Sequence, residues 1–77
     1  MTPGEALDEV RKDLSQAFGD ALSARILDAA RTAAKAAEVD TASYKNVIDW
    51  LCKDERVLGM FGELGVRDKQ SRWGKLV

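Results

Sequence analysis

The chain predicts an all-α fold: a small bundle of about four helices with a short, partly ordered basic C-terminal tail. Three observations carry that expectation. Apolar residues recur at spacings of three and four, with no sustained alternation of period two. Alanine, the best helix former, is dense through the first half, at 21, 24, 29, 30, 33, 34, 36 and 37. The glycine-rich turns of hairpins are absent. No internal repeat and no low-complexity tract beyond the alanine bias is evident. We divide the chain into a helical domain over 1–65 and a basic tail over 66–77.

The first helix is signalled from its start. Thr2, Pro3 and Glu5 form a Thr-x-x-Glu capping box with proline at the first helical position, where its missing N–H is not needed. Leu7, Val10, Leu14 and Phe18 then line one face, so the helix should cover about 3–18. Gly19-Asp20 is expected to break or kink the chain, with Asp20 accepting the free N–H groups of the next helix. The alternative is one bent helix over 3–38, because the apolar stripe continues through Ala21, Leu22, Ile26, Ala29, Ala30 and Ala33. With the break, the second helix covers about 20–38.

Val39-Asp40-Thr41 reads as a short connection, with Asp40 or Thr41 capping a third helix. Tyr44, Val47, Ile48 and Leu51 share one face of that helix, which should end near Lys53. Asp54 then caps a fourth, whose stripe is Val57, Leu58, Phe61 and Leu64. Gly65 followed by Val66 is a helix stop of the glycine type. Beyond it, Arg67 to Val77 holds one short helix started by Asp68, or none.

Seventy-seven residues make one domain, and a core of that size rarely supplies more than roughly 3–5 kcal/mol. Cys52 is the single cysteine and histidine is absent, so neither a disulfide nor an ordinary zinc site can add to it. Association, with a second copy or with a partner, is the expected remedy. No stretch approaches the ~18 apolar residues of a membrane span. The segment Met-Thr-Pro-Gly-Glu lacks the features of a secretory signal. With one unpaired thiol, the expected compartment is the cytoplasm.

Charge is unevenly spread. Residues 1–40 carry eight acids and five bases (−3), 41–65 four acids and three bases (−1), and 66–77 one acid and four bases (+3). The bases Arg67, Lys69, Arg72 and Lys75 interleave with Trp73, a pattern that can sit on phosphates while the ring stacks on a base. The acidic body opposes approach to a polyanion. The preferred reading is a solvated terminal tail whose Trp73 folds back on the body.

Enzymatic residues are scarce. Without histidine, the commonest general base is missing, and so is the commonest activator of serine or cysteine. Cys52 adjoins the apolar stripe of helix 3 and reads as a buried structural thiol. The pairs Asp8 with Glu9 and Asp54 with Glu55 sit at helix starts, where capping and the helix dipole account for them. Gly59, Gly62 and Gly65 lack the lysine and hydroxyl of a phosphate loop and the strand of a dinucleotide site. Gly59 and Gly62 read as points of close approach near Trp50 or another helix. No catalytic, metal or cofactor-binding residue is assigned.

What remains is contact. The alanine surface from 29 to 37 is slim enough for another helix to approach, within the chain or across a symmetric dimer. Trp50 lies off the helix 3 stripe, where an aromatic can anchor an interface. The expected function is a non-enzymatic protein–protein interaction or regulatory module, with a protein partner or a second copy as ligand. Candidate partner-binding residues are Trp50, Arg67, Lys69, Arg72, Trp73 and Lys75. The alternative is a helix-turn-helix-like nucleic-acid binder using helices 3 and 4 and the basic tail.

Overall fold

The computed structural model describes residues 1–36 and 38–77. It contains four helices: α1 (Pro3–Phe18), α2 (Asp20–Ala33), α3 (Thr41–Lys53) and α4 (Glu55–Gly74). No strand occurs among the described residues. Sequence neighbours pack on one another, α1 on α2, α2 on α3 and α3 on α4, and α4 returns to touch α1. The chain therefore forms the expected small all-α bundle.

α1 starts as its sequence dictates. The Thr2 hydroxyl accepts the Glu5 N–H at 3.3 Å, and the Glu5 carboxylate accepts the Thr2 N–H at 3.1 Å. That backbone bond, then the hydroxyl bond, holds the Glu5 carboxyl below its ordinary pKa. Ala6, Leu7, Val10 and Leu14 face inward and are buried. The chain does break at Gly19, which has φ 81 and ψ 164, a conformation only glycine adopts readily. Asp20 does not cap α2: the N-cap is Gly19, and no side chain bonds the free N–H groups. Asp20 is instead the first helical residue, placed to complement the positive helix end.

α2 stops at Ala33, earlier than the expected 38, and the cause lies in the backbone. Lys35 takes the left-handed conformation, φ 54. The Lys35 N–H then bonds the Thr32 carbonyl and the Ala36 N–H bonds the Arg31 carbonyl. This pair of bonds is a Schellman closure with lysine where glycine is usual. It tucks Ala36 into the core. Ala37, in the expected alanine surface, lies outside the described residues.

Asp40 caps α3, its carboxylate accepting the Ser43 N–H at 2.8 Å. Tyr44, Val47, Ile48 and Leu51 are buried as one face, with Cys52 beside them. Asp54 alone joins α3 to α4. Its carboxylate accepts the Arg56 N–H at 2.8 Å and also pairs with the Arg56 guanidinium at 2.8 Å.

α4 departs from expectation. Gly65 does not end it: the irregular residue is Gly62, with φ 73 and ψ 170, and the helix resumes to Gly74. The kink re-aims the second half. Val57 before it and Val66 and Trp73 after it are buried, whereas Leu64, expected on the inner stripe, is 80% exposed. Of the three glycines only Gly65, read from the sequence as a helix stop, is crowded: an added methyl would stand 3.1 Å from Phe61 Cβ of the same helix. At Gly59 and Gly62 it would meet nothing within 4 Å.

The kink also exposes a local repeat that the sequence reading missed. Phe18-Gly19-Asp20 and Phe61-Gly62-Glu63 share one pattern and one glycine conformation. Their rings meet edge to face, centroids 6.1 Å apart and planes at 87°. The two corners thus pack against each other.

Candidate functional site

The six candidate residues separate into three environments. Trp73 lies in the core, only 2% exposed, folded back on the body as the sequence reading preferred. Its indole N–H donates to the Asp13 carboxylate at 3.0 Å, and its backbone carbonyl accepts the Tyr44 hydroxyl. Tyr44 is itself fully buried, and burial pushes its phenol up to about 12.

Lys69 shares this anchorage. Its ammonium reaches both oxygens of Asp13 at 3.2 Å and lies 5.3 Å from the centre of the Phe61 ring. Arg72 pairs with Asp68 one turn back, at 3.1 Å, on the exposed face. Arg67 and Lys75 are exposed. On a helix Arg67 and Lys69 stand about 200° apart, so the bases do not form one strip. The segment that read as a tail is thereby tied down by its own charges and its own tryptophan. Gln70 adds a bond to Asp49 at 2.8 Å.

Trp50 is placed differently. It is 45% exposed on α3, and the Lys53 ammonium lies 5.2 Å from its ring centre. Ala29, Ala30 and Ala33 of α2 line a groove with Trp50, Lys53 and Asp54. Here the slim alanine surface and the off-stripe aromatic, two separate sequence observations, come together. Small side chains on α2 leave a floor that a bulky side chain can approach, and Trp50 forms an apolar wall beside it. Lys53 and Asp54 give the rim one charge of each sign. Sequence reasoning named Trp50 and the alanines but had no means of setting them side by side. Only the α2–α3 packing does that.

Other groups offer little chemistry. Cys52 is buried, and burial first, then the nearby Asp49 charge, pushes its thiol up to about 11. A thiol held protonated is a poor nucleophile. Among the described residues no group of three or more metal-ligating side chains converges. Among them, too, no helix is long and apolar enough to cross a membrane. Every buried side-chain nitrogen and oxygen among the described residues has a hydrogen-bond partner. Ser23, the one buried polar residue in that set, bonds Ser15 and the Asp20 carbonyl, both at 2.9 Å. Comparison of the chain with protein-family models, curated proteins and solved structures gives no match in any of the three.

Proposed function

We propose that this chain is a small non-enzymatic interaction module that binds a protein surface, in the first instance a second copy of itself, through the Trp50 groove. The observation that carries the reading is the half-exposed Trp50 standing beside an alanine floor. Tryptophan removed from water at an interface is, with tyrosine and arginine, among the residues enriched as energetic anchors. A two-fold arrangement would set the Trp50 of each copy against the alanines of the other and place Lys53 near Asp54 across the axis.

The nucleic-acid reading loses support from the same geometry. Trp73, which would stack on a base, is buried, and Lys69 is engaged by Asp13. A reducing compartment suits a free buried thiol, and the cytoplasm remains the proposed location.

Sedimentation equilibrium across a micromolar concentration series tests the proposal. A mass rising above 8.5 kDa is expected. Trp50→Ala should weaken association by about 30-fold, the size of a 2 kcal/mol anchor. A monodisperse monomer at high concentration refutes self-association. Salt-sensitive, submicromolar DNA binding that depends on Arg67, Lys69, Arg72 and Lys75 would put nucleic acid in its place.

A further inference from the structure

The two glycine corners share a conformation but not a set of braces. At the first, Ser15 and Ser23 flank Gly19 and are hydrogen-bonded to one another, with Ser23 fully buried. At the second, Gly62, Glu63 and Leu64 are all exposed; the Lys69 ammonium over the Phe61 ring crosses the joint, but no side-chain hydrogen bond among the described residues does. Residues 63–74 are held instead from their far end. Lys69 and Trp73 bond Asp13 of α1, Gln70 bonds Asp49 of α3, and the Tyr44 hydroxyl of α3 bonds the Trp73 carbonyl. All of these partners lie in α1 or α3, so a second copy of the chain presents the same set.

We propose that Gly62 is a hinge through which residues 63–77 exchange between two copies of this chain. Both sides of the hinge are already helical. Turning Gly62 into the helical region therefore makes Glu55–Gly74 one straight helix without unfolding either half. At 1.5 Å per residue that helix runs about 30 Å. The longest dimension of the molecule is 28 Å. Val66 and Trp73 reach their own core only through the turn at Gly62, so a straight α4 carries its second half off its own body, and Val66, Lys69 and Trp73 find their seats on the other copy. Exchange of an identical element is a low-cost route to a dimer because every closed contact is remade. The inference does not rest on the Trp50 groove.

Alanine at 62 separates the two states. An L-residue is strained at φ 73 and favoured in a straight helix. The added methyl meets no atom within 4 Å, so the effect falls on the backbone. Gly62→Ala should shift the equilibrium towards dimer by about 30-fold or more. Asp49→Cys with Gln70→Cys, in a Cys52→Ala background, reports the connectivity. On oxidation a closed chain links its own cysteines, whereas an exchanged pair gives a covalent species of twice 8.5 kDa. We expect the cross-chain link in Gly62→Ala, and we expect it to persist when Trp50→Ala is added. A Gly62→Ala monomer with only the internal link overturns the proposal. Should that variant not fold, the trap with glycine at 62 decides after refolding at rising concentration. A growing cross-chain fraction supports exchange, and an internal link at every concentration overturns it.

Discussion

Asp13→Ala should be among the most damaging single changes on the partly exposed surface of this molecule. One carboxylate accepts the Trp73 indole N–H at 3.0 Å and the Lys69 ammonium through both oxygens at 3.2 Å. Removing it strands a donor on a ring that is 2% exposed, which costs about 1–3 kcal/mol. The ion pair is worth less. The Lys69 and Asp13 side chains keep 18% and 31% exposure, so solvent screening limits it to about 0.5–1 kcal/mol. The sum, about 1.5–4 kcal/mol, is a large share of the roughly 3–5 kcal/mol that a core of this size supplies. At about 4–8 °C per kcal/mol, Tm should fall by about 6–32 °C. Urea unfolding followed by tryptophan fluorescence and circular dichroism measures the loss. Asp13→Asn keeps an acceptor for the indole and should recover more than half of it. Trp73→Phe keeps most of the ring and drops the N–H, so a double-mutant cycle with Asp13→Ala should show coupling of about 1 kcal/mol or more. A loss under about 0.5 kcal/mol, or a cycle without coupling, would show that the anchorage is incidental.

Three further outcomes are expected. Lys35→Gly relieves a left-handed lysine within the Schellman closure and should raise stability by about 1 kcal/mol, read as a higher urea midpoint at constant slope. Gly59→Ala, on exposed helix with nothing within 4 Å of the new methyl, should also stabilise by about 1 kcal/mol, and a loss there would mean that Gly59 is needed for a contact. Tyr44 and Cys52 both have pKa values raised by burial, to about 12 and about 11. The folded state thus holds their protons more tightly than the unfolded one. Their contribution is complete below the unfolded values near 8.5 and 10 and is lost as pH climbs to 11–12. Stability in an alkaline titration should fall across that window, Cys52→Ala should remove its lower part, and a thiol reagent at neutral pH should label native Cys52 slowly.

Local signals were the legible ones. The capping box at Thr2, the break at Gly19, the Asp40 cap and the Asp54 joint each involve residues a few positions apart, and each lies where the sequence puts it. The two missed helix ends share a cause. Lys35 rather than a glycine takes the left-handed position after α2, and Gly62 rather than Gly65 takes the irregular one in α4. Which residue adopts positive φ depends on packing: Val66 and Trp73 reach the core only if the chain turns before them. Asp13 was invisible as a site because its partners are 56 and 60 residues away. It stands among ordinary solvent-facing acids in the sequence. For the Trp50 groove, both ingredients were legible and their adjacency was not.

The way the helices are joined also decides where the chain will accept new sequence. Gly19 alone separates α1 from α2, and Asp54 alone separates α3 from α4. Each joint residue is committed, one to a positive φ and one to a cap, so an insertion at either would disturb two helices at once. Between Ala33 and Thr41, Lys35 closes α2, Ala36 is buried and Asp40 caps α3, whereas Glu38 is exposed and takes neither a positive φ nor a cap. An epitope, a fluorophore site or a new pair of termini belongs there. Of the connections between helices, an opening beside Glu38 is therefore the one that circular permutation should tolerate best.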